Sequence, residues 1–185
     1  MSPSLLLPLS SYQGHLGFDF LGYAIRQYPP EKSEPEQALA CKTVVTPSAE
    51  ASRHHVAVIE ERLEQLRAAS QAQVISELNP IIGGWATYYN GFVSVHSLSR
   101  YDELVSQLLL SWARKHHPNK ERQEVINRYW HPVGEGAWVF STPEGAELRS
   151  HCEIHTRETA NPYDDGLREG RQRLTAHSLL DETPG

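Results

Sequence analysis

The chain has 185 residues, is 39% hydrophobic and carries a formal charge of −6 at pH 7, enough for one modest core with a small appendage and too acidic for a uniformly basic nucleic-acid binder. Residues 1–99 hold six Lys/Arg against nine Asp/Glu, residues 100–131 six against four, and residues 132–185 five against ten, so a polyanion contact is expected in the middle block. No apolar run reaches the ~18 residues of a membrane span and the start lacks the basic region of a signal peptide, so the reading is a soluble intracellular protein with no membrane partner.

Residues 1–13 read as an irregular leader broken by Pro3 and Pro8. The run from Gly17 to Arg26, rich in aromatic and branched residues, reads as one strand. A polar excursion with Pro29, Pro30 and Pro35 follows, and Lys42 to Thr46 reads as the returning strand of a hairpin with a long tip. Two strands alone are marginal in water, so this hairpin needs a partner surface.

Thr46-Pro47-Ser48 is a helix-start signal, and Val56, Ile59, Leu63 and Leu66 give the following helix, running to about Ala68, its buried stripe. A second helix is expected over Val74 to Phe92, with Val74, Leu78, Ile81, Trp85, Tyr88 and Phe92 on its inner side and Ile75, Ile82 and Tyr89 widening it. Pro80 predicts a kink, or a fresh helix start behind Asn79. Gly83 and Gly84 weaken the helix, and one explanation is that they let a neighbouring helix approach closely.

Leu98, Tyr101, Val105, Leu108 and Trp112 step by three and four in a third helix, capped by Ser97 or Ser99 and closed by Lys115-His116-His117 before Pro118. Asn119 to Trp130 reads as a short fourth helix, with Val125, Ile126 and Tyr129 inward, and Trp138-Val139-Phe140 as an extended piece packed back on the bundle. Residues 166–185 are acidic and read as a disordered tail. The fold class is therefore mainly α: a bundle of three to four helices with a small N-terminal β-hairpin.

Leu78-Asn79-Pro80-Ile81-Ile82, then Gly84-Trp85-Ala86, then Tyr88-Tyr89, resemble the core of the maturase-specific segment, domain X or thumb, of group II intron-encoded reverse transcriptases. Gly17-Phe18-Asp19-Phe20-Leu21-Gly22-Tyr23 followed by Ile25-Arg26 is similar to the last motif of that family's polymerase palm, and Lys42 to Ser48 to its approach to the thumb. The segment from Trp112 to Lys120, Arg128-Tyr129-Trp130, and Trp138 with Phe140 follow in the family's order, so the resemblance spans about residues 15–164. One departure stands out: the family usually has an arginine where this chain has Gly83.

The resemblance implies three parts: residues 1–47 as a residual palm hairpin and linker, 48–149 as the maturase-specific bundle, and 150–185 as a degraded junction and tail. It also implies binding to structured intron RNA in support of splicing. A separate reverse-transcriptase fragment is a second implied partner; no cofactor and no small-molecule substrate are expected. Arg100, Arg114, Lys115, Lys120, Arg122, Arg128 and Lys42 are the candidate RNA contacts, set among stacking or packing aromatics. Leu78, Pro80, Ile81, Trp85, Tyr88, Tyr89, Trp112 and Trp138 are the expected structural core.

Catalytic residues are not expected: the palm's paired aspartates have no counterpart, and Tyr163-Asp164-Asp165 matches the junction beyond the thumb. His54 and His55 are adjacent on a helix and face apart, and the set His151, Cys152 and His155 lacks a fourth ligand, so no metal site is expected. Cys41 and Cys152 stand without a partnering motif, suiting free thiols in a reducing cytoplasm. The alternative reading is a truncated remnant that serves only as a protein-interaction or inert helical module.

Overall fold

The computed structural model describes residues 10–12, 15–28, 42–133 and 137–158, which fall into two compact units, residues 1–53 and 54–185. The tail 166–185 and Tyr163-Asp164-Asp165 lie outside the described residues.

The first unit is an antiparallel sheet of β1 (Ser10–Tyr12), β2 (His15–Phe20), β3 (Tyr23–Tyr28) and β4 (Lys42–Pro47), in that order. The run from Gly17 to Arg26, expected as one strand, is a hairpin: Leu21 and Gly22 take φ of 48° and 79°, and Phe20 pairs with Tyr23. Two successive left-handed residues are the signature of a type I′ turn, whose twist matches that of the flanking strands. An uninterrupted apolar run concealed it, because leucine seldom takes the first such position. β4 returns antiparallel to β3, as expected, with Tyr28 opposite Lys42 and Tyr23 opposite Pro47.

β1 falls inside the expected irregular leader; a three-residue strand carries no periodicity, and its register comes from pairing Ser11 with Leu16. Gly17 must be glycine, because a Cβ there would lie 2.2 Å from the Ile25 carbonyl oxygen. Ser48 ends this unit's last strand and starts α1 (Ala49–Gln65): its hydroxyl accepts the Ala51 N–H at 3.1 Å, while its own N–H donates to the Gly22 carbonyl at 2.7 Å.

The second unit contains the rest of the helices: α2 (Gln71–Tyr89), α3 (Val95–His116), α4 (Arg122–Tyr129) and α5 (His151–Glu158). A ribbon of β5 (Trp130–Val133) and β6 (Ala137–Phe140) lies between the last two, which places Trp138-Val139-Phe140 as expected. The mainly α class holds, with five helices among the described residues.

Ser70 begins α2 with a capping box: its hydroxyl accepts the Gln73 N–H, and the Gln73 side chain reaches back to the Ser70 N–H at 2.9 Å. α2 runs unbroken through Pro80 to Tyr89, so the expected restart behind Asn79 does not occur. The Pro80 ring sits on the exposed side, and the helix forgoes one backbone bond there. Ser94, not Ser97 or Ser99, caps α3, accepting the Ser97 N–H at 3.3 Å.

The core joins Ile59 and Leu63 of α1, Val74, Ile75, Leu78, Ile82 and Ala86 of α2, Leu109 and Trp112 of α3, Val125 and Ile126 of α4, Phe140 of β6 and Ile154 of α5. On α2 the buried row is Val74–Leu78–Ile82–Ala86–Tyr89, rotated from the expected stripe. Ile81, Trp85 and Trp138 are half-buried, while Tyr88 and Phe92 are 52% and 71% exposed, so Tyr88 and Pro80 do not belong to the core. Alpha-helical spacing alone admits both rows; the partner helices choose the one with Ala86, whose small side chain lets them close.

Two side chains stitch the unit across long sequence gaps. Gln71 Nε2 donates to the carbonyls of Tyr129 (2.8 Å) and Ser141 (3.1 Å), and the Trp112 indole donates to the Leu66 carbonyl at 3.0 Å.

Candidate functional site

Six of the seven expected RNA-contacting cations lie on α3, α4 and the loop between them, whereas Lys42 is on β4 and its side chain lies outside the described residues. The α3–α4 junction brings several together. His117 is held below the ordinary imidazole pKa by partial burial and then by the positive charges of Arg128, His116 and Lys120, which places those groups around it. Its Nε2 lies 3.1 Å from the Tyr129 hydroxyl, and the His116 ring packs against Trp112 at 4.3 Å. Arg114 and Arg128 are exposed and make no ion pair among the described residues.

Other members of the expected set are offset by acids, partly buried or set apart. Lys115 pairs with Glu64 at 3.3 Å and Lys120 with Glu124 at 3.1 Å, so each is offset by an acid, although exposed pairs of this kind are weak and open to competition by phosphate. Arg122 is half-buried. Arg100 lies on the same helix as Arg114 but about 21 Å away along it. On the side where α1 meets α3, Glu60, Glu61 and Glu64 line a groove with Arg67 and Lys115, an acidic boundary for any polyanion.

A second constellation, absent from the sequence reading, fixes α5. Asp102 Oδ1 accepts the His151 backbone N–H at 2.7 Å and the His151 Nδ1–H at 2.6 Å, and its Oδ2 accepts the Cys152 N–H at 3.2 Å. Asp102 thereby caps α5 from another helix, and a carboxylate at a helix N-terminus is also favoured by the helix dipole. The other edge of the buried His151 ring meets His55, Nε2 to Nε2 at 2.9 Å. His55 stacks on Trp85, the tryptophan of the Gly84-Trp85-Ala86 motif, with centroids 4.4 Å apart and planes 12° apart.

Burial, then the charges of His151 and His54, push the His55 pKa down to about 3, so this imidazole is neutral at neutral pH. Burial, then the Asp102 carboxylate, raises the Cys152 thiol, and its Sγ–H points to the Val95 carbonyl at 3.5 Å. A protonated thiol turned to a carbonyl is a poor nucleophile and a poor metal ligand. His54 is exposed, and the side chain of His155 lies outside the described residues.

Asn79 plays the matching role at the segment before α5. Its Oδ1 accepts the Arg149 N–H at 2.8 Å, and its Nδ2 donates to the Glu147 carbonyl at 3.0 Å. Two residues of the motif stretch, Asn79 and Trp85, therefore hold residues 147–158 against α2. Gly83 and Gly84 do not serve close helix packing: a Cβ at Gly83 would meet only Ile154 Cδ1 at 3.9 Å, and one at Gly84 nothing within 4 Å.

Compared with known protein families, residues 53–130 match the model of the group II intron, maturase-specific domain. The match runs from α1 through the end of α4 and covers both the motif stretch and the basic junction, somewhat under half of the chain. That stretch of the chain is thus similar to a group II intron maturase-specific domain. No curated protein matches the chain.

Proposed function

We propose that this protein is a non-catalytic RNA-binding domain that assists the splicing of a group II intron, a fragment of an intron-encoded reverse transcriptase. The observation that carries the reading is the coincidence of the maturase-specific match with the one net-positive block of the chain, whose Arg114 and Arg128 stand free of acids among the described residues. Guanidinium groups on a folded helical corner suit the phosphates of a structured RNA, and Lys115 and Lys120 add charge once phosphate displaces their glutamates. The test is rescue: the chain, added to a group II intron lacking its own protein, restores splicing. Unchanged splicing in the presence of the protein contradicts the proposal.

A protein partner is favoured by a separate observation. Leu16, Phe18 and Phe20 alternate along β2 and are 54%, 39% and 58% exposed, an apolar strand face of the kind that proteins cover. A separate reverse-transcriptase fragment carrying a palm is the partner this reading names, and co-purification of the two, lost on Phe18→Ser with Phe20→Ser, checks it.

A further inference from the structure

α2 presents an uncharged outer groove beside the pinned residue Arg149. Ser76, Pro80, Gly83, Gly84 and Thr87 line it from the helix, with Arg149 at its rim. No acidic side chain is among its lining residues, in contrast to the glutamate-rich groove between α1 and α3. The Arg149 guanidinium makes no ion pair or hydrogen bond among the described residues, while its backbone is fixed by Asn79 at 2.8 Å. A cation whose root is fixed and whose head is free is well disposed to meet an anion.

Asn79 also lines the groove with its amide spent on residues 147 and 149, but two hydroxyls there are likewise unspent. Ser52 and Ser106 return their hydroxyls to the carbonyl four residues back, at 2.8 and 2.9 Å, as helical serines commonly do. Ser76 and Thr87 do not: both are exposed, and neither hydroxyl has a partner among the described residues. Pro80 has no N–H to give to the Ser76 carbonyl, leaving an acceptor beside the Ser76 hydroxyl. Gly84 has open space where a side chain would stand, so a ligand backbone can lie directly on the helix.

We infer that this groove seats the ribose–phosphate backbone of an RNA strand, with Arg149 on a phosphate and the Ser76 and Thr87 groups on ribose 2′-hydroxyls. The inference rests on the RNA-binding reading above and adds a contact outside the basic junction. A ribose hydroxyl is both donor and acceptor, which suits the carbonyl and hydroxyl of Ser76 and, about 16 Å further along the same helix, the hydroxyl of Thr87, whereas a protein ligand would find no apolar anchor here beyond Pro80 and Ile154.

The test uses the full chain and a structured group II intron RNA, titrated against salt. Arg149→Gln is expected to weaken binding severalfold and to reduce the magnitude of the log–log salt slope by about one. Gly84→Glu, which places a carboxylate in the groove without a steric clash, is expected to weaken it roughly tenfold or more, with an unfolding midpoint no lower than wild type. Thr87→Val is expected to narrow the preference for RNA over DNA of the same sequence. If Arg114→Gln weakens binding while Arg149→Gln and Gly84→Glu do not, the groove inference is overturned and the RNA-binding reading stands. If the wild-type chain shows no salt-dependent RNA affinity, both are overturned.

Discussion

Asp102, one position past the buried Tyr101 on α3, receives both backbone N–H groups that open α5, His151 and Cys152, together with the ring N–H of His151. One carboxylate thus satisfies the first two backbone donors of α5, which its local cap Ser150 leaves open. Ser150 caps the same helix locally, its hydroxyl accepting the Glu153 N–H at 2.9 Å, but eight residues are too few to be stable alone, so α5 depends on the tertiary contact as well.

Asp102→Ala is therefore expected to release α5 selectively. Three donors lose their acceptor in a largely buried place, at a cost of roughly 2–4 kcal/mol. Amide exchange at His151, Cys152 and Ile154 should accelerate well beyond that at Ile59 or Leu109. Equal acceleration throughout the second unit would show that α5 has no separate anchor.

The His55–His151 contact gives stability a pH dependence with a definite sign. The folded pKa of His55, about 3, lies below the ~6.5 of an unfolded histidine, so between these values the unfolded chain binds more protons. The contribution is complete above about pH 6.5 and is lost as pH falls toward 3, at up to ~1.4 kcal/mol per pH unit. Two imidazoles sharing Nε2 edges at 2.9 Å also need one donor and one acceptor, so both cannot be protonated there. Urea unfolding across this range should show the slope, and His55→Gln, which keeps a hydrogen-bonding group without titrating, should flatten it. An unchanged slope in the variant would assign it to other groups.

The glycines separate into two kinds. Gly84→Ala should stabilise by up to ~1 kcal/mol, since the added methyl meets nothing and helix propensity improves. Gly17→Ala should instead disrupt the β2–β3 pair, because its Cβ would lie 2.2 Å from the Ile25 carbonyl oxygen and 2.7 Å from Arg26 Cδ. Thermal unfolding of the two variants checks the contrast, and a destabilised Gly84→Ala would contradict the open groove.

The helices were legible because their apolar spacing and closing cations are local signals, and Trp138 to Phe140 betrayed its strand by composition. Which of two neighbouring rows on α2 turns inward was not, because the row through Ile81 and Trp85 and the row through Ile82 and Ala86 differ by one step of the helix and the choice belongs to the partners that pack there. The Leu21-Gly22 turn was hidden by a leucine in a left-handed conformation. The anchoring of α5 was out of reach, since Asp102 and His151 are 49 positions apart and neither sits in a pattern that names the other. Of the basic residues, the sequence identified the block but not the pairing of Lys115 and Lys120 with glutamates one helix or one turn away.

The most direct test of the RNA-binding account is the salt dependence of affinity for a structured group II intron RNA, measured for the wild-type chain and for Arg114→Gln with Arg128→Gln. Contacts to about three or four phosphates at and near the α3–α4 junction give a log–log slope of about −3, and removing the two free guanidiniums should bring it to about −1 with affinity lowered by tenfold or more. A wild-type slope near zero, or one that the double substitution leaves unchanged, would contradict the account.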